Sequence, residues 1–291
     1  MQQLLLYVQL LRLRQWIKNV LVFGPLVFAQ DFTAVALHGA GLAFVAFSLA
    51  ASTVYALNDL IDAPRDRLHP EKKHRPVASR RISRPAAMAA MLACLSAAGI
   101  IGLLISPRFA LVLLAYLLLN LAYSTNLKRR VIVDVMCVAF GFVLRVLAGG
   151  VAVGVSVSHW ILLCTFFGSL LLALGKRRSE TSLLKEDSHN HRFVLQHYTP
   201  DFLNQLLGVS SALTIMSYVA YVTDSQTIAR FQTDRLVYTV PLVVYGIFRY
   251  YHLTYNRAMG GDPTRIFLRD RYTGLTALLW LVLFLAIIRI H

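Results

Sequence analysis

Residues 38–57, HGAGLAFVAFSLAASTVYAL, run without interruption into Asn58-Asp59-Leu60-Ile61-Asp62-Ala63-Pro64-Arg65-Asp66. The first part holds no Lys, Arg, Asp or Glu, and at about 1.5 Å per residue it is long enough to cross a hydrocarbon core about 30 Å thick. It predicts a membrane-spanning helix that ends in three aspartates. The same reading along the chain gives nine spans, at 16–33, 38–57, 85–106, 109–126, 131–155, 159–175, 202–223, 236–255 and 273–289. The first is the weakest, because Lys18 and Asn19 lie inside it and Gly24-Pro25 interrupts it.

Composition agrees. Of 291 residues, 57% are hydrophobic and 15% charged, and the mean hydropathy is +0.60. A soluble domain carries about a quarter charged residues, so the balance favours an all-α polytopic membrane protein. The net charge of +15 is unevenly spread. Most of it falls on the N-terminus and on loops 58–84, 127–130, 176–201 and 249–272, while Arg108, Arg230, Arg235 and Arg289 fall opposite and Arg145 within a span. The positive-inside rule then puts the N-terminus and these loops in the cytoplasm and the C-terminus outside, with the protein integral to the cell membrane. Topology accounts for the charge and leaves nucleic acid no part. The Leu-rich N-terminus has no small-residue cleavage site and reads as an amphipathic segment lying on the membrane. Cys94, Cys137 and Cys164 fall in three separate spans and read as buried structural thiols.

The three acids call for a reason. Spacings of three and four put Asp59, Asp62 and Asp66 on one helical face, with Pro64 able to kink the backbone before Asp66. They end a helix whose dipole disfavours anions there. Clustered carboxylates beside the Asn58 amide suit Mg²⁺ bridging to a substrate phosphate. The same residues also fit a solvated helix end whose acids pair with Arg65 and Arg67. Downstream come His69-Pro70-Glu71-Lys72-Lys73-His74-Arg75-Pro76 and then Arg80, Arg81 and Arg84, cations suited to pyrophosphate oxygens.

Asn58-Asp59…Asp62…Asp66 resembles the first aspartate-rich motif of the UbiA superfamily of intramembrane prenyltransferases. Further motifs are similar to its decaprenyl-phosphate phosphoribosyltransferase branch. They are Arg14-Gln15-Trp16-Ile17-Lys18-Asn19, Asp66…His69-Pro70…Lys72…Arg75-Pro76, and Tyr123-Ser124…Leu127-Lys128. Asp134 follows, with Gly141-Phe142…Leu144-Arg145…Ala148-Gly149-Gly150. Gly175-Lys176-Arg177…Glu180, Arg192…Leu195…Tyr198 and Arg269-Asp270-Arg271 complete the series. The resemblance covers nearly the whole chain. It implies a nine-helix UbiA-type bundle forming one transmembrane domain over 1–291, with Mg²⁺ as cofactor. The implied reaction moves 5-phosphoribose from phosphoribosyl pyrophosphate to a polyprenyl phosphate, releasing pyrophosphate. Prenyl-transferring branches carry a second DxxxD-type motif after the sixth span, where this chain has Lys176, Arg177, Arg178 and Glu180. Transfer of an isoprenoid from its diphosphate to an aromatic or other polar acceptor is therefore the second reading. The sequence leaves the oligomeric state open, a homo-oligomer included.

On this reading Asn58, Asp59, Asp62 and Asp66 hold Mg²⁺, the three aspartates being the catalytic set. Lys72, Arg75, Lys128, Lys176 and Arg177 take phosphate oxygens, and Tyr123 and Ser124 donate hydrogen bonds. Arg145, costly in a bilayer, should face the bundle interior, and Asp134 lies about three turns earlier on a similar face. Both either line the cavity for polar head groups or are satisfied by helix–helix hydrogen bonds. Lys18 and Asn19 are expected to face the cavity. His189, His191 and His197 read as a solvated loop, and Trp16, Tyr123, Trp160 and Trp280 as interface anchors.

Overall fold

A computed structural model describes residues 2–68, 72–183, 193–257 and 270–289, and among these every regular element is helical. His69, Pro70, Glu71, His189, His191, Arg192 and Arg269, named above, lie outside the described residues. The helices are α1 (Gln2–Leu10), α2 (Gly24–Ala29), α3 (Ala34–Asp66), α4 (Arg84–Ile105), α5 (Pro107–Thr125), α6 (Val133–Val153) and α7 (His159–Leu183). They continue with α8 (Pro200–Thr223), α9 (Ser225–Phe231), α10 (Val240–Arg257) and a last helix, Arg271–Arg289.

Several starts are written locally. Thr33, Ser83, Ser106 and Thr199 each accept a backbone N–H from the first turn of α3, α4, α5 and α8, and Pro follows the cap in the last three. Such caps satisfy N–H groups that have no partner inside the helix, and Pro at the first turn loses no hydrogen bond.

Among the described residues, seven helices are long and apolar enough to cross a membrane: α3 to α8 and Arg271–Arg289. In α4 only 17% of the apolar stretch is buried within the protein, so Ile100, Leu103 and Leu104 point outward. Apolar surface on that scale belongs in lipid, and the chain is an integral membrane protein. The expected first span is no single helix. It is a 3-10 segment, Leu13–Phe23, joined to the short α2 at Gly24-Pro25. The expected eighth is a 3-10 turn, Arg235–Thr239, followed by α10, whose second half carries Arg249, His252, Asn256 and Arg257. The nine-helix count is thus approximate. Pro64 does not end α3, which continues to Asp66.

The chain packs as two compact units. Unit 1 is Met1–Leu127 with Val143–Val157, and unit 2 is Lys128–Phe142 with Ser158–His291. In unit 1, Phe47 packs against Phe109 and Tyr116 over a floor of small residues, Ala43, Ala46 and Ala50. At Gly149 a Cβ would overlap the Val22 carbonyl, so this glycine lets α6 approach the 3-10 segment. Unit 2 is built on Leu171, Leu174, Leu203, Leu207 and Leu253. Cys94 and Cys137 are buried and Cys164 is partly so, all free thiols. The three tryptophan N–H groups bond inside the protein: Trp16 to Ser52, Trp160 to Asp224 and Trp280 to Tyr218.

Candidate active site

In unit 1 the last turns of α3 carry the acids. Asp59 and Asp66 are buried, Asp62 and Asn58 half-buried. Arg75, from the loop after α3, places Nη1 2.8 Å from Asp66 Oδ2 and 3.3 Å from Asp59 Oδ1. Arg12 reaches the same Asp59 oxygen at 2.8 Å. Two carboxylates on one helix face repel, and a guanidinium shared between them offsets that repulsion. Asp59 and Asp66 therefore pair with Arg12 and Arg75, two arginines other than the expected Arg65 and Arg67. Arg67 donates instead to the Ala78 carbonyl at 3.3 Å, which helps fold the loop back.

Arg12 was not foreseen as a site residue. It adopts the left-handed conformation, with φ at 50°, between α1 and the 3-10 segment. The segment is anchored by Ser52, whose hydroxyl donates to the Leu11 carbonyl at 2.8 Å and accepts from Trp16. This anchoring delivers the Arg12 side chain over the acids, where it also stacks on Tyr55 at 4.8 Å.

Among the described residues, no three His, Cys, Asp or Glu side chains lie close enough to hold a metal ion by themselves. The expected metal cluster is thus not preformed. The donor chemistry is nonetheless that of a hard cation: only oxygens, two or three of them carboxylates on one face. Mg²⁺ is usually held by one or two carboxylates, the remaining positions going to substrate phosphate and water. The residues fit an ion shared with a substrate and do not fit an all-protein cage.

The other unit 1 candidates are spread. Lys72 is half-buried on the loop after α3, and Lys18 is exposed on the 3-10 segment. Tyr123 is half-buried near the end of α5, and Ser124 is buried with its hydroxyl lacking a hydrogen-bond partner among the described residues. Asn19 and Arg145 face inward and meet each other. Arg145 Nε donates to Asn19 Oδ1 at 2.7 Å and Nη2 to the Tyr116 hydroxyl at 3.0 Å, while Asn19 donates to Ser48 at 3.0 Å. Of the two readings of Arg145, helix–helix hydrogen bonding is the one the geometry displays.

Unit 2 holds Lys128, Asp134, Lys176 and Arg177. Asp134 is fully buried at the start of α6. Its Oδ2 accepts from Arg177 Nε at 2.8 Å and its Oδ1 from the Tyr198 hydroxyl at 2.7 Å. Arg177 Nη1 donates to Glu180 at 2.6 Å. Arg177, expected on phosphate oxygens, and Asp134, expected either to line the cavity or to be satisfied by helix–helix hydrogen bonds, turn to each other and to Tyr198 and Glu180. A buried charge is tolerable only when paired in this way. Lys176 is exposed, 4.0 Å from Glu180, and Lys128 is half-buried before α6.

The profile of the UbiA prenyltransferase family matches residues 20–269. Decaprenyl-phosphate phosphoribosyltransferase of Mycobacterium tuberculosis is 34% identical over 94% of this chain and 91% of its own length. The protein of the same name from Corynebacterium glutamicum is 34% identical over 94% of this chain and 83% of its own. Among solved structures, a UbiA homolog from Archaeoglobus fulgidus bound to GPP and Mg²⁺ superposes with a TM-score of 0.73 at 22% identity, covering 98% of this chain and 99% of that one.

Proposed function

The chain belongs to the UbiA prenyltransferase family, and on that premise we propose that it transfers 5-phosphoribose from phosphoribosyl pyrophosphate to a polyprenyl phosphate. The bond from ribose C1 to the pyrophosphate oxygen breaks, a lipid phosphate oxygen bonds to C1, and pyrophosphate leaves with the electron pair. Similarity over nearly the full length to proteins named for this activity carries the reading. In this proposal 1–291 acts as one transmembrane domain. Its charge distribution supports a reaction at the cytoplasmic face, with the N-terminus inside and the C-terminus outside.

The residues of unit 1 divide the work. Asp59, Asp62 and Asp66, with the Asn58 amide, would hold Mg²⁺ against the pyrophosphate. When bound, the ion supplies charge neutralisation for the departing group. Arg75 and Arg12 already lie on those carboxylates with 27% and 30% of their side chains exposed, and they would take pyrophosphate oxygens with the acids given over to the ion. Lys72 and Lys18 add positive charge, and Tyr123 and Ser124 offer hydroxyls. In unit 2, Lys128 and Lys176 are assigned to phosphate oxygens, while Asp134 and Arg177 support them structurally. A lipid phosphate with a second pKa of about 6 is already a dianionic nucleophile at pH 7, so no side chain need act as a strong base.

The family description itself keeps prenyl transfer as the competing reading. Purified protein offered radiolabelled phosphoribosyl pyrophosphate with polyprenyl phosphate, or labelled prenyl diphosphate with an aromatic acceptor, separates the two. Consumption of the phosphoribosyl donor alone is expected. Consumption of the prenyl donor alone overturns the proposal.

A further inference from the structure

In unit 2 the chain enters α6 through a turn that an L-residue seldom adopts. Ile132 has a φ of 69°, and across it Val133 N–H donates to the Val131 carbonyl at 2.8 Å. A three-residue turn with positive φ at its centre is the strained form of the γ-turn, and a β-branched side chain suits that position badly. Such a conformation persists only when its surroundings hold it.

Tyr198 is what holds it. The Ile132 N–H donates to the Tyr198 hydroxyl at 2.7 Å, and that hydroxyl donates in turn to Asp134 Oδ1 at 2.7 Å. The remaining Asp134 oxygen is fixed by Arg177. Burial, and after it the bond to the Asp134 carboxylate, push the Tyr198 phenol above its ordinary value, so it stays protonated. Directly before the turn stand Lys128, Arg129 and Arg130, and the Asp134 N–H donates to the Arg130 carbonyl at 3.0 Å. One hydroxyl thus links a buried ion pair to the backbone that carries three consecutive cations.

We propose that Tyr198 is a positioning residue: by clamping the strained Ile132 turn it fixes Lys128, Arg129 and Arg130 for the phosphate oxygens of a substrate. The identity of that anion rests on the transferase reading; the clamp does not.

The test uses the full chain in lipid nanodiscs. Tyr198→Phe keeps the ring and removes the hydroxyl. Tryptic cleavage after Lys128, Arg129 and Arg130 should rise about tenfold, the shift expected when the Ile132 N–H at the turn loses its acceptor. The KM for phosphoribosyl pyrophosphate or for polyprenyl phosphate should rise about tenfold, with kcat changed less than about threefold. Adding Ile132→Gly, which occupies positive φ without penalty, should restore both properties, whereas adding Ile132→Ala should not. Unchanged cleavage in Tyr198→Phe overturns the proposal, and so does a glycine double variant no better than the alanine one. A lower yield of folded protein with normal KM and normal cleavage makes Tyr198 merely structural and also overturns it. Should Tyr198→Phe not fold, hydrogen exchange of the unaltered protein decides: the Ile132 amide should be protected, and exchange at the free-peptide rate ends the claim. If cleavage behaves as expected while the unaltered protein leaves labelled phosphoribosyl pyrophosphate unconsumed, the transferase reading fails and the clamp stands.

Discussion

Asp59 in unit 1 and Asp134 in unit 2 are both buried aspartates that accept from arginine, yet their arginines differ in access. Those on Asp59 keep 30% (Arg12) and 27% (Arg75) of their side chains exposed, and Arg75 is shared with Asp66. The arginine on Asp134 is 5% exposed and held by Glu180 as well, and Tyr198 completes the carboxylate. An ion pair whose cation meets solvent can exchange that cation for a ligand. A closed pair can only be broken, and breaking it leaves a charge stranded. The comparison separates a region built to change partners from one built to keep them, although both show the same pair of residue types.

The largest effect should come from the closed pair. Asp134→Ala leaves Arg177 Nε and the Tyr198 hydroxyl without their buried acceptor while Glu180 still binds Nη1, so the cost should be about 3 kcal/mol of stability, the lower end for breaking a buried pair. Unfolding in detergent micelles measures it. A loss under about 1 kcal/mol would mean that the pair is open after all. Next are Asp59→Asn and Asp62→Asn, which preserve shape and remove charge. Both should insert normally in membranes and lose turnover with Mg²⁺ by at least about a hundredfold, the scale of removing one charge-stabilising group from an active site. Product formation at the original rate in both variants would refute the proposed ion site. Stability should hardly move, since an amide oxygen at position 59 still accepts from Arg12.

What the sequence disclosed follows the range of each signal. The α3 span and its aspartates were legible because an apolar run and spacings of three and four are local properties. Gly24-Pro25 also showed that the first span is interrupted, though not that Leu13–Phe23 winds as a 3-10 helix. Arg12 falls in the N-terminal segment whose pattern reads as amphipathic and membrane-lying, and nothing nearby in sequence points to Asp59, 47 residues on. Arg145 could be assigned to the interior from the cost of a charge in lipid. Its partner Asn19 lies 126 residues away and had to be observed. Ile132 is the extreme case. A β-branched residue predicts extended backbone, and only the tertiary bond to Tyr198 makes positive φ tenable there.

Two smaller effects extend the comparison, one at a second buried arginine and one at a pair that meets solvent. Tyr116→Phe removes one acceptor from the buried Arg145 but keeps the ring, which lies 4.8 Å from the guanidinium. A hydrogen bond to a charged group is worth about 1.5–3 kcal/mol, and the lower end applies because Asn19 and the ring remain. Thermal unfolding of the variant measures this; no change would mean that the Tyr116 hydroxyl adds nothing to what Asn19 and the ring already supply.

The smallest effect belongs to Asp270, at the start of the last helix. Arg249 binds it through both nitrogens, Nη2 to Oδ1 at 2.7 Å and Nε to Oδ2 at 3.1 Å, and Thr273 adds its hydroxyl and N–H. The bond from Arg249, above all, holds the Asp270 carboxyl well below the usual carboxylate range. A depressed folded-state value gives stability that is complete above the unfolded value, about 3.9, and disappears as pH falls toward the folded one. The stability difference between the unaltered protein and Asp270→Asn should therefore be constant from pH 7 to 5 and shrink only below about 4. This pair meets solvent, so the difference should be the least of the series. Shrinkage already between pH 7 and 5 would show that another group titrates with the clamp, and Asp270 would then not be the acid that fastens this helix end.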